Sequence, residues 1–145
     1  MVSEMTNHPL ASGSDVRFVP ADAYQAGACN IGPAEIRRRR MVGHVGLVAA
    51  IALLVALVEI GAPAVLRLLV VVPATLSASG YLQARMRFCA NYGWRGIFNL
   101  GELGQDAQVI DEDARAADRR LALRIGLGSL GIGLGAAIVA ALLPV

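Results

Sequence analysis

The chain has 145 residues, of which 56% are hydrophobic and 17% charged, with a formal net charge of +2. Soluble domains carry about 25% charged residues and roughly 45–50% apolar ones, so the balance speaks against an ordinary soluble domain. All 13 cationic residues are arginine, which removes Schiff-base, Walker-type and protein-kinase lysine chemistry from consideration.

Residues 1–28 set Glu4, Asp15 and Asp22 against Arg17. They lack the basic opening and apolar run of a signal peptide, so they read as a polar, poorly ordered cytoplasmic tail. Three apolar stretches follow, over about 42–60, 65–82 and 121–143. Each is about 20 residues long, enough at 1.5 Å per residue to cross most of a ~30 Å hydrocarbon core. The expected fold is an all-α integral membrane protein with three transmembrane helices. Residues 29–98 form a helical hairpin with an interfacial segment, 99–120 an acidic connector and helix start, and 121–145 a third, glycine-rich span.

The arginines set an orientation. Arg37, Arg38, Arg39 and Arg40 precede the first span, Arg85, Arg87 and Arg95 follow the second, and Arg115, Arg119, Arg120 and Arg124 lead into the third. Only Arg67 falls at the opposite ends. The positive-inside rule then places the N-terminus in the cytoplasm and the C-terminus outside. Arg37 to Arg40 are also placed to meet anionic lipid headgroups. Because membrane topology accounts for the basic residues, no nucleic-acid partner is expected.

Gly61-Ala62-Pro63 is a short turn, with proline opening the second span, and Pro73 is expected to kink that span. Tyr81, Phe88, Tyr92, Trp94 and Phe98 read as an interfacial belt along the membrane surface. Asp111 is the expected cap of a helix that starts near Glu112 and runs into the third span. There Gly131 and Gly135 are spaced as GxxxG, with Gly128 beside them, while Ser129 and Gly133 repeat the spacing on a neighbouring stripe. Such stripes let helix backbones approach closely. Here they point either to a second copy or another subunit, or to the protein's own first two spans.

For chemistry, the return of the second span brings Cys29 and Cys89 to the same side of the membrane, near His44 and several arginines. Two thiols beside positive charge are candidate redox thiols, since such charge favours the thiolate. Cys29, His44 and Cys89 fall short of a closed tetrahedral metal site, and no cofactor is expected. Ser77-Ala78-Ser79-Gly80 resembles part of an intramembrane serine-protease signature, but His44 is the one candidate base and three spans enclose little water. Helix packing is the preferred role for these serines. Glu59 falls at the outer interface, where it can meet water or pair with Arg67.

Asn30-Ile31-Gly32, the arginines, Gly43 or Gly46 opening a span, a short turn, a second span and Phe88-Cys89-Ala90 together resemble a known domain. It is the small two-helix inner-membrane domain found alone or fused to bacterial rhodaneses. The resemblance covers roughly residues 29–92 and implies a hairpin able to dimerise, with Cys89 matching the cysteine that closes its second helix. Cys29, the acidic connector and the third span depart from that pattern, and no sulfurtransferase activity carries over. The all-arginine, Ala/Gly/Val-rich usage is similar to that of bacterial proteins. The expectation is therefore a small, multi-pass bacterial inner-membrane protein with a non-enzymatic, structural or accessory role. It would pack with itself or with a larger membrane complex. The alternative is a thiol-redox or sulfur-handling protein using Cys29 and Cys89.

Overall fold

The computed structural model describes residues 24–144; of the tail expected at residues 1–28, residues 1–23 lie outside them. The fold is built on three helical segments long and apolar enough to cross a membrane, Pro33–Glu59, Ala64–Met86 and Glu112–Leu142. Helix α1 (Pro33–Glu59) opens with proline in its first turn, where a missing N–H costs nothing. The second segment is composite: α2 (Ala64–Arg67), a 3-10 turn at Leu68–Val70, then α3 (Val71–Met86). Pro73 accounts for that break. It falls in the first turn of α3, so the irregular turn lies just before the proline. Helices α4 (Ala90–Arg95) and α5 (Glu112–Leu142) follow, the two separated by strands β1 (Ile97–Phe98) and β2 (Ala107–Gln108). Asp111 caps α5 as its residue type suggests, its carboxylate accepting from the N–H groups of Asp113 and Ala114.

Helix α3 is the centre of the bundle, packed on α1 along one side and on α5 along the other. Both contacts depend on absent side chains. Gly46 lies against the backbone of Ser77 and Pro73, and Gly80 against the backbone of Arg39 and Gly43. The Ser77 hydroxyl donates to the Gly43 carbonyl at 2.9 Å across that seam. On the other side Gly133 of α5 meets Thr75. The outward faces of α1 and α5 expose Val45, Val48, Ile51, Leu127, Ile138 and Val139. An apolar surface on that scale needs lipid or protein around it.

At 1.5 Å per residue, α1 and α5 are about 40 and 46 Å long, more than a ~30 Å hydrocarbon core requires. Both helices therefore have length to spare, and the rest of the described chain folds around their arginine-rich ends as a cap. Ile31, Cys89, Tyr92 and Ile97 form one small core there, and Phe88, Leu121, Ala122 and Ile125 a second. Two sequence expectations change as a result. Two of the five aromatic residues expected in a belt are core, Phe88 fully buried and Tyr92 buried; Tyr81 and Phe98 are half-buried, Phe98 stacking on Tyr24 at 4.8 Å, and Trp94 is exposed. The connector is folded, with β1 paired antiparallel to β2 and Asn99 buried beneath the turn. Residues 24–28, expected to belong to the loose tail, are docked as well. The carboxylate of Asp118, itself fully buried in α5, accepts from the Tyr24 hydroxyl at 2.7 Å and from the Gly27 N–H at 2.6 Å. Gly27 sits at φ +66° with its Cα close over Ala117, a left-handed position that a side chain would strain.

Candidate functional site

The chemistry-bearing side chains gather in this cap. Asn30 holds the approach to α4: its amide donates to the Cys89 carbonyl at 3.1 Å and its side-chain oxygen accepts the Cys89 N–H at 2.7 Å. Gly32 follows with its Cα against the Leu100 backbone, and its N–H reaches the Asn99 carbonyl. Asn30-Ile31-Gly32 thus acts as a main-chain clasp, with Ile31 buried between its two polar neighbours.

Beyond the clasp the Cys89 thiol is fully buried and receives the Arg39 guanidinium, Nη2 to Sγ, at 2.9 Å. The same Nη2 is 3.5 Å from Oε2 of Glu35, a carboxylate only 1% exposed that also meets Arg38 at 3.4 Å. Burial keeps this group in reach of its partners: an unpaired carboxylate there would be costly, and the i,i+3 and i,i+4 arginines of its own helix offset that cost. The Tyr92 hydroxyl lies in the same negative surroundings. Burial first, then a hydrogen bond to Asp106 and the charges of Glu35 and Asp106, push it up to about 12. Tyr24 is raised in the same direction by burial and by its bond to Asp118.

Cys29 is placed apart from this network. Its partly buried thiol approaches the Ile31 carbonyl at 3.8 Å, and it lines a separate concavity with Arg40, Arg85 and Arg87. Both cysteines are free thiols. His44 pairs with the Tyr81 hydroxyl and stacks edge-on against its ring, 5.3 Å between centroids. Among the described residues no three His, Cys, Asp or Glu side chains come together as a metal site would require, so Cys29, His44 and Cys89 do not form one. Ser77 is committed to the Gly43 carbonyl, Ser79 accepts from Gln83, and the ring nitrogen of His44 is taken up by Tyr81. No nucleophile–base pair results.

The arginine run divides by helical phase. Arg37 and Arg38 are exposed, Arg39 turns in to Cys89, and Arg40 faces the concavity. At the opposite end Arg67 does not pair with Glu59. It is 5% exposed and donates to the carbonyls of Ala62 at 3.0 Å and Leu143 at 2.9 Å, tying the interhelical turn to the end of α5. The glycines of α5 divide in the same way. Gly133 is used inside the bundle and Gly128 touches Leu82, whereas Gly126, Gly131 and Gly135 have nothing within 4 Å of where a side chain would begin.

Sequence reasoning passed over Asn30, Glu35 and Asp118 as functional positions. Glu35 left a signal, since its spacing to Arg38 and Arg39 puts all three on one helical face. Asp118 left none, because its partners are distant in the chain, and Asn30 entered only as part of the Asn30-Ile31-Gly32 resemblance, with no role attached. Comparison of the chain with protein-family models, curated proteins and solved structures gave no match.

Proposed function

We propose that this chain is a small bacterial inner-membrane protein with a structural or accessory role, not an enzyme. In this reading its arginine-rich cap faces the cytoplasm, the far end of α5 lies outside, and the spans pack with a second copy or a larger membrane complex. The observation that carries it is the division of the α5 glycines. Glycine in a helix interior costs about 0.5–1 kcal/mol relative to alanine unless close packing needs it. Gly133 has such a need within the bundle, while Gly131 and Gly135 have none there and suit an approach by another helix. Native mass spectrometry of the protein and of its Gly131→Leu/Gly135→Leu variant, each in lipid nanodiscs, tests the reading. It expects a defined oligomer that dissociates in the variant. An unchanged mass would remove the glycines from any subunit contact.

One observation favours a second reading, in which the protein handles thiol or sulfur chemistry. A guanidinium 2.9 Å from the buried Cys89 sulfur sets a fixed positive charge beside the thiol, and reactive cysteines are found in such electropositive surroundings. The clasp of Asn30 on Cys89 also offers a structural reason for the motifs on which the proposed resemblance to the rhodanese-associated hairpin domain rests. Alkylation of native membranes under rapid denaturation, which opens the buried Cys89, followed by intact-mass measurement separates the two readings. A persulfide on Cys89, or a Cys29–Cys89 disulfide, would put sulfur chemistry first; two alkylatable thiols without added sulfur would leave the structural role.

A further inference from the structure

A concavity of about 560 Å³ opens beside the cap where α1 enters and α3 leaves the spanning region. Arg40, Arg85 and Arg87 line it together with Cys29, over an apolar floor that includes Ile31, Ile36 and Leu100, and no acidic residue contributes to its wall. Among the described residues the ion pairs are those of Glu35 with Arg38 and Arg39, so these three arginines have no carboxylate partner there. Cations that line one concavity over a low-dielectric floor, with no counter-charge among the described residues, create a local attraction for anions. Planar guanidinium forks match phosphate oxygens in geometry as well as charge.

Arg87 adds an independent observation. It ends α3 at φ 52°, ψ 35°, in the left-handed region, and its carbonyl accepts the N–H groups of Asn30 and Ile31. Among the described residues it is the one non-glycine with positive φ. Glycine is the residue that suits such a helix end, and strain held at a ligand-lining position points to use of the side chain.

We propose that this concavity is a binding site for a phosphate group, presented by an anionic phospholipid or by a soluble phosphate ester. Its depth suits the first source, because the ends of α1 and α3 lie at the headgroup level of the arginine-rich face. The apolar floor accepts the glycerol or ester carbons, and the three arginines take the phosphate oxygens. This site does not depend on the oligomer or on Cys89.

Cys29 supplies the reporter, since its thiol is in the concavity and partly accessible while Cys89 is fully buried. The full chain is placed in phosphatidylcholine nanodiscs, and the rate of maleimide addition to Cys29 is followed by intact mass. One series adds phosphatidylglycerol and another adds inorganic phosphate against chloride at equal ionic strength. Occupancy slows the reaction in one or both series; slowing by phosphatidylglycerol identifies a lipid, slowing by phosphate alone a soluble ester. Losing one charge-assisted contact moves the midpoint about tenfold, so Arg85→Gln and Arg87→Gly shift it while Arg119→Gln, outside the concavity, does not. Arg87→Gly separates binding from folding, because it relieves the backbone as it removes the guanidinium. An unmodified Cys89 reports that each variant is folded. Slowing in neither series overturns the proposal, as does equal slowing in Arg85→Gln and the unaltered protein, which would mark a diffuse surface potential.

Discussion

Replacing Gly46 with alanine tests the seam between α1 and α3. A methyl group there would lie 2.6 Å from the Ser77 nitrogen, 2.8 Å from its Cα and 3.1 Å from the Pro73 oxygen, whereas ordinary contact begins at 3.4 Å. All three neighbours are backbone, so no side chain can turn aside, and the helices must separate by about 1 Å over that turn. Overpacking of this kind costs about 1–3 kcal/mol. Separation also weakens the bond from the Ser77 hydroxyl to Gly43, worth roughly 0.6 kcal/mol within a membrane. Against this, alanine gains about 0.5–1 kcal/mol over glycine as a helix former. The net expectation is a loss of about 1–2 kcal/mol for Gly46→Ala. Gly131→Ala, with no neighbour to displace, keeps the gain and loses nothing in the monomer. Reversible unfolding of dilute protein in mixed micelles, titrated with sodium dodecyl sulfate, measures both. Equal stability of Gly46→Ala and the unaltered protein would refute the close approach of α1 and α3. A Gly131→Ala loss confined to high protein-to-detergent ratio would instead point to a contact between copies.

Three further outcomes follow from the cap and the far end. Asp118→Ala leaves the Tyr24 hydroxyl and the Gly27 N–H without their acceptor and is expected to cost about 2–3 kcal/mol. Hydrogen exchange should then accelerate in residues 25–31 while the spans stay protected; protection retained at 25–31 would dismiss the anchor. Tyr92 is raised from 10.0 to about 12, so its neutral form is preferred in the folded cap. The stability it contributes is fully present below pH 10 and disappears as the pH rises through about 12. Tyrosine near-ultraviolet dichroism should hold to pH 10 and then collapse, and a collapse well below pH 10 would contradict this. Arg67→Ala removes the donor to two carbonyls and should lower detergent resistance by about 2 kcal/mol, with faster exchange at Ala62 and in the last turn of α5. Unchanged exchange at both would refute the tie.

The spans were legible because their signal is local: long apolar runs bounded by arginines admit few alternatives. The start of α5 was legible for the same reason, since Asp111 followed by acidic residues is a helix opening in any context. The cap was not. It depends on pairs such as Asn30 with Cys89, 59 residues apart, and Gly27 with Asp118, 91 apart, and no spacing rule connects them. Aromatic residues beside a span suit an interfacial belt and a small core equally, and only the tertiary packing of residues 24–32 and of α5 decides between them. Sequence also offered two small-residue stripes on α5, and a helical wheel does not say which of them α3 occupies.

The account rests first on three crossings with the cap on the cytoplasmic side. Single reporters in a Cys29→Ser background test this, because the buried Cys89 stays silent. Gln105→Cys sits on the exposed turn of the cap, while Ile60→Cys and Pro144→Cys are exposed at the far end. Intact cells expressing each variant are treated with a membrane-impermeant maleimide, before and after permeabilisation. The account predicts immediate labelling at positions 60 and 144 and labelling at 105 only after permeabilisation. Labelling of 105 in intact cells would reverse the orientation, and opposite behaviour of 60 and 144 would contradict the three crossings.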